Sequence, residues 1–151
     1  MSKTKKVYRA KTHIRENYQV EINARDHIVI ADEPTPYGDN TGMTPVELLL
    51  GALGACKSMV FKSSAKRFNV EIDQFEILLE GDFDSAGYLG DPNIPIGFSN
   101  IRTIYNIQSA SAKSDVEKLI HHVETHCPVA ATIDVAPQKE VVINYKSEFF
   151  S

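Results

Sequence analysis

Thr44-Pro-Val-Glu-Leu-Leu-Leu-Gly-Ala-Leu-Gly-Ala-Cys-Lys-Ser-Met-Val-Phe-Lys62 is the most apolar run of the 151-residue chain, and it holds one of its two cysteines. Thr44 followed three residues later by Glu47 is a capping box, and Pro45 then takes the first helical position, where its missing N–H costs nothing. Leu48, Leu49, Leu50, Leu53, Met59, Val60 and Phe61 surround the helix instead of forming one stripe, the pattern of a buried central helix. Gly51, Ala52, Gly54, Ala55 and Ser58 are small. An interior helical glycine costs roughly 0.5–1 kcal/mol against alanine, so these residues point to close contact with another backbone. Cys56 on this helix is either a thiol placed for chemistry or an ordinary core cysteine.

Upstream, Val7–Ile14 is rich in strand formers. Tyr18–Asn23 alternates apolar and polar side chains, and after the Ala24-Arg25-Asp26 turn His27–Ala31 makes a third strand, giving an antiparallel meander. Residues 32–42 carry two prolines and two glycines and read as an irregular loop leading into the helix. Downstream, the helix is expected to end near Arg67. Val70–Glu80 reads as a long strand with a bend near Asp73, and Gly81–Phe98 as a long surface loop. Asn100–Gln108 is the next strand. Ser114 and Glu117 form a second capping box before a helix whose stripe is Val116, Leu119, Ile120 and Val123. That helix is expected to reach His126 and to be interrupted at Cys127-Pro128, with one further turn over 129–133. Lys139–Tyr145 reads as a closing strand. The whole chain, 1–151, is expected to be a single α+β domain, a largely antiparallel sheet packed on helices.

The charge is mildly acidic and mixed, 16 Lys+Arg against 20 Asp+Glu, and three lysines at the N-terminus are no nucleic-acid footprint. Lys57 and Lys62 interrupt the apolar run before it reaches the ~18 residues a membrane span needs. No signal peptide precedes the first strand, so a cytoplasmic address is expected. Two cysteines in such a chain argue for free thiols, a metal or redox chemistry, not a disulfide framework.

Cys56 and Cys127 are far apart in sequence. Cys127 precedes Pro128 and an Ala-rich turn, a placement that fits the N-cap of that turn, where free N–H groups stabilise a thiolate. It also falls on the inward face of its helix. Two thiols aimed at one core fit a peroxidatic and resolving pair, and fit equally two small buried hydrophobes. A reactive thiol needs a cation beside it, and arginine suits the task. Arg9, Arg15, Arg25, Arg67 and Arg102 are the candidates, with Arg25 singled out by its tight turn, although spacing alone favours a solvated turn residue there. His122 and His126, i and i+4 on one helix face with Cys127 adjacent, make three quarters of a zinc site. No CxxC or HExxH accompanies them, and solvated or helix-capping histidines are the preferred reading.

Thr41-Gly-Met-Thr-Pro-Val-Glu-Leu-Leu-Leu-Gly-Ala-Leu-Gly-Ala-Cys56, taken with His126-Cys-Pro-Val129, resembles the OsmC/Ohr family, and His27–Pro34 with the loop to Gly42 resembles its OsmC-like branch. The resemblance implies an intertwined homodimer in which two central helices pack between sheets built from both chains. It implies a thiol-dependent, peroxiredoxin-like hydroperoxide reductase active in oxidative-stress defence. Cys56 would attack an organic hydroperoxide and become a sulfenic acid, and Cys127 would then close a Cys56–Cys127 disulfide. No cofactor or metal is implied, and the reductant would be a thiol, such as a dihydrolipoyl protein. In the family's peroxidases the residue after the motif proline is a glutamate that holds the arginine. Here that position is Val46, and the nearest acid, Glu47, lies about 100° around the helix. The catalytic set carried over is therefore Cys56 and Cys127, with Arg25 and Glu47 as the activating candidates. The rival reading is a non-catalytic dimeric module that binds a small hydrophobic ligand near Cys56.

Overall fold

The computed structural model describes residues 4–147. Its organising helix, α1, spans Pro45–Ser64. The capping box forms as read: Thr44 N–H donates to Glu47 Oε2 at 2.8 Å and Glu47 N–H donates to Thr44 Oγ1 at 3.3 Å. The helix tightens into a 3-10 turn over Ala65–Phe68 and stops at Asn69, whose φ of 58° is left-handed. Leu53, Gly54, Lys57 and Phe61 form its buried face. The expectation of burial all round fails for the single chain. Val46, Leu49 and Met59 are exposed, Met59 by 72 %, because one chain supplies packing elements to one side of α1 only. Within one chain the helix glycines face a side chain or open space, not another backbone. A Cβ on Gly54 would lie 2.7 Å from Leu79 Cδ2, so this glycine admits a side chain, while a Cβ on Gly51 would meet open space.

Three strands precede α1: β1 (Lys11–Ile14), β2 (Val20–Ala24) and β3 (His27–Ala31), an antiparallel meander with Ile22 opposite Thr12 and Val29. The first strand is shorter than its composition predicts, since Val7 and Tyr8 lie outside it and are exposed. None of the three packs extensively on a helix. The loop over 32–42 ties the meander to α1 through an Ala31–Met43 bridge and the buried Asp32 carboxylate. That carboxylate accepts from Thr41 Oγ1, Thr41 N–H and Glu33 N–H at 2.7, 3.0 and 2.8 Å. Those bonds, the Thr41 hydroxyl foremost, hold its pKa below the ordinary aspartate value.

The second sheet is one long antiparallel pair, β4 (Gln74–Asp82) and β5 (Asn100–Gln108), in register from Gln74 opposite Gln108 to Asp82 opposite Asn100. β5 has the bounds its alternation predicts. β4 begins four residues later than read, because Val70 turns into the core and the main chain of Glu71 bonds to the Ser109 and Ser111 hydroxyls. The connecting loop contains one helical turn, α2 (Ser85–Tyr88), capped by Asp84. Gly81 is required where it stands, since a Cβ there would collide with the Phe98 ring.

The chain finishes with α3 (Lys113–His126) and α4 (Pro128–Asp134). The second capping box does not form. Ala112 is the N-cap and makes no side-chain cap bond, so Ser114 falls inside the first turn. Leu119 and Val123, fully buried, meet Phe61, Ala65 and Val70, with Val116 and Ile120 partly buried beside them. Phe61 stacks on Phe75 at 4.2 Å between ring centroids. The closing strand over 139–145 is corrected: this segment pairs with no strand among the described residues, and Val141, Val142, Ile143 and Tyr145 are at least 80 % exposed. A strand needs a neighbour's main chain to pair with, and the described part of one chain gives it none. Among the described residues the result is an α+β fold of two antiparallel sheets and four α-helices.

Candidate functional site

Cys56 lies in the third quarter of α1, partly exposed, and Cys127 is buried with 2 % exposure. Cys127 ends α3 by donating its N–H to Val123 O at 3.1 Å, and it begins α4 as its N-cap. Its Sγ accepts from Ala130 N–H at 3.4 Å, the cap that the Cys-Pro sequence predicts. The fold brings the two cysteines near enough for Cys56 to bear on the ionisation of Cys127, and both are free thiols. Burial pushes the Cys127 thiol up; the Ala130 amide pulls it back, and the neighbouring Cys56 thiol raises it further. The expected N-cap stabilisation of a Cys127 thiolate is present and is outweighed by desolvation. The two thiols differ in access: Cys56 is partly open to solvent and Cys127 is not.

Next to the thiols is a polar network that the sequence reading missed. Lys57, 4 % exposed, turns inward beneath α1. Its Nζ donates to Thr103 Oγ1 at 2.7 Å and to Glu124 Oε1 and Oε2 at 2.9 and 3.1 Å. Tyr105 donates its hydroxyl to the same Glu124 Oε1 at 2.5 Å. Burial, the bond to Glu124, the charge of Glu124 and the nearby Cys127 all keep the Tyr105 phenol protonated, with its pKa well above the ordinary tyrosine value. In the sequence Lys57 stands only as an interruption of the apolar run. The available signal was its place on the face that Leu53 and Phe61 share, one residue from Cys56. The network borders a cavity of about 490 Å³ whose apolar walls include Leu53, Ile101, Ile120 and Ile133.

The other predicted residues lie apart from this centre. Glu47 is fixed in the helix cap and borders a groove of about 460 Å³ between α1 and β4, with Leu50, Gly51, Ser58 and Ile77. Arg25 is exposed at the tip of the β2–β3 turn, in the left-handed conformation at φ 55°, and hydrogen-bonds neither thiol. Arg15 pairs with Glu21, and Arg102 with Asp82 and Glu80. Arg67 lies against the ring of His122 and over the ring of Phe68. Among the described residues no arginine bonds to Cys56 or Cys127. The zinc arrangement does not assemble either. His122 and His126 stack at 4.0 Å, His126 Nδ1 donates to His122 O at 2.9 Å, and Cys127 is buried against Cys56. Among the described residues no group of His, Cys, Asp and Glu is placed to hold a metal ion. Among the described residues no helix is long and apolar enough to cross a membrane.

Comparison with known proteins places this arrangement. A family model described as OsmC-like protein matches residues 38–142. No curated protein matches the sequence. An OsmC-like protein of Mycoplasma pneumoniae is similar at a TM-score of 0.77 and 18 % identity, over 87 % of this chain and 89 % of that one. An organic hydroperoxide resistance protein OsmC of Legionella pneumophila is similar at 0.64 and 18 %, over 87 % and 91 %. The organic hydroperoxide resistance protein OhrB of Bacillus subtilis is similar at 0.53 and 22 %, over 83 % and 90 %. The family match runs from the loop before α1, through both cysteines, to the exposed segment after α4, and on that ground the chain belongs to the OsmC-like family.

Proposed function

We propose that the protein is a thiol-dependent peroxidase that reduces organic hydroperoxides and serves oxidative-stress defence in the cytoplasm. The observation that carries this reading is the approach of Cys56 and Cys127, 71 residues apart in the chain and near enough for one thiol to bear on the ionisation of the other. Two structural relatives described as hydroperoxide resistance proteins support the choice of oxidant. The Cys56 thiolate attacks the terminal peroxide oxygen, the O–O bond breaks, and the products are an alcohol and a Cys56 sulfenic acid. The Cys127 sulfur then displaces hydroxide, which leaves as water with the Cys127 proton, and a disulfide remains. A thiol reductant, with a dihydrolipoyl protein as the leading candidate, returns the pair to the dithiol. The cytoplasm suits this cycle because its thiol pools keep such pairs reduced.

The active form is a homodimer. Three features favour it: the bare face of α1 at Leu49 and Met59, the meander that no helix covers, and the unpaired apolar segment at 141–145. A second copy would cover all three. It would also give Arg25 a thiol to activate across the interface, with Glu47 as the acid at the α1 groove. The test is turnover of a lipid-like hydroperoxide with dihydrolipoamide as reductant. Native protein is expected to turn over, Cys56→Ser to be inactive, and Cys127→Ser to stop after one equivalent. No turnover by native protein, or an unchanged rate for Cys56→Ser, overturns the peroxidase reading. A Cys56 inert to peroxide, in protein that co-purifies with a hydrophobic ligand, would establish the binding-module alternative instead.

A further inference from the structure

We propose that Lys57, Glu124 and Tyr105 are positioning residues that set the register of the two helix turns carrying Cys56 and Cys127, so that the disulfide can close. The thiol chemistry rests on the peroxidase reading; the register does not. Lys57 directly follows Cys56 on α1, and Glu124 lies one turn before Cys127 on α3. Their bonds at 2.9 and 3.1 Å therefore join the same two turns that present the thiols. Thr103 and Tyr105, both on β5, attach that junction to the sheet at 2.7 and 2.5 Å. Three elements are thus fixed to one another at a single point.

The requirement is geometric. A disulfide tolerates Cα separations of only about 4.4–6.8 Å and a narrow torsion, so a slide of one helix by an ångström or two is enough to forbid it. The apolar contacts between α1 and α3, Phe61 against Leu119 and Val123, resist separation. They resist sliding poorly, because apolar contact is non-directional. A buried ammonium with hydrogen bonds to fixed acceptors is directional, and buried ionic groups are best attested as such register devices. The step being positioned is balanced within the chain. The Cys56 S–O bond breaks, the S–S bond forms, the sulfenic sulfur is reduced, the Cys127 sulfur is oxidised, and hydroxide leaves with the Cys127 proton as water.

The test compares native protein with Lys57→Met/Glu124→Leu, which removes both charges together and leaves no orphaned ion to unfold the domain. The Cys56–Cys127 pair is equilibrated in glutathione redox buffers and its oxidation constant is read by thiol alkylation and mass. The double variant is expected to lose at least tenfold in that constant. Val70→Ala, a core truncation not in the network, is expected to lower the melting temperature and leave the constant unchanged. An unchanged constant in the folded double variant, an equal loss in Val70→Ala, or a native pair that glutathione never oxidises overturns the inference. A parallel hydroperoxide assay separates the two readings. A native protein that fails to consume the hydroperoxide, yet still shows the tenfold glutathione difference, sinks the peroxidase and leaves the register device standing. With peroxide in excess, the double variant is also expected to accumulate Cys56 sulfinic acid, because a slower resolving step leaves the sulfenic acid exposed to a second oxidation.

Discussion

Removing the two partners of the Lys57–Glu124 pair one at a time is expected to have unequal effects. The Lys57 side chain is 5 % exposed and that of Glu124 is 41 % exposed. In Glu124→Leu the ammonium stays buried with Thr103 as its remaining acceptor, and the Tyr105 hydroxyl loses its acceptor too. Orphaning a buried charge costs about 3–5 kcal/mol, and a lost hydrogen bond about 1 more. Solvent near the open side of Glu124 can reach the ammonium, which brings the expected loss to about 3 kcal/mol. In Lys57→Met the buried charge is gone. The carboxylate left behind keeps the Tyr105 donor and has water on its open side, so the loss is about 1 kcal/mol. For a chain of this size 1 kcal/mol is about 2–4 °C in Tm. Glu124→Leu should therefore melt roughly 6–12 °C below the native protein and Lys57→Met roughly 2–4 °C below. The double variant should lie above Glu124→Leu. Melts are run at one protein concentration, since association shifts Tm by mass action. A Lys57→Met loss equal to or greater than that of Glu124→Leu refutes the assignment of Lys57 as the desolvated partner.

Thr44→Ala removes the side-chain acceptor of the α1 capping box and should cost about 1 kcal/mol, read as a drop of roughly 2–4 °C in Tm. Gly81→Ala drives a methyl group into the Phe98 ring and should destabilise by about 1–3 kcal/mol; Phe98→Leu in the same chain should restore part of it in denaturant titrations. Burial raises the Cys127 thiol pKa, so the folded state holds that proton more tightly than the unfolded one. Its contribution is complete below the ordinary thiol pKa of about 8.5 and is lost as pH rises through the folded value, so the reduced protein should weaken in alkali. Cys127→Ala should flatten that slope in urea titrations across pH 7.5–10.

The local signals in the sequence were those with short-range causes. The α1 capping box, Pro45 at its first turn, the bounds of β3 and β5, and the Cys127 cap are each decided by residues within a few positions of one another. Ser114 and Glu117 carry the same signature and fail, because the helix already begins at Lys113 and the spacing offers no cap at that register. The segment at 139–145 has the composition of a strand, but pairing is a property of two backbones, and composition cannot supply the second. At the site, the cysteines stood out by rarity and by their motifs. Lys57, Glu124 and Tyr105 did not, because each is an ordinary residue on an ordinary helix or strand. Their importance arises from a junction of α1, α3 and β5 spanning 67 residues. The turn at Arg25 is legible in the sequence and forms in the structure. A turn fixes a main-chain conformation and does not fix what its side chain reaches.

Cys127 closes one helix and opens the next, with its sulfur accepting the Ala130 amide. A bond from that sulfur to Cys56 would replace its S–H and leave it two lone pairs, but would turn and fix it toward α1. Oxidation would thus strain or re-aim the first-turn anchor of α4, a helix with no buried residue of its own. A disulfide between the pair would then show in the solvent exchange of one amide proton, at Ala130. A spectroscopist could read the redox state of the protein there without touching either sulfur.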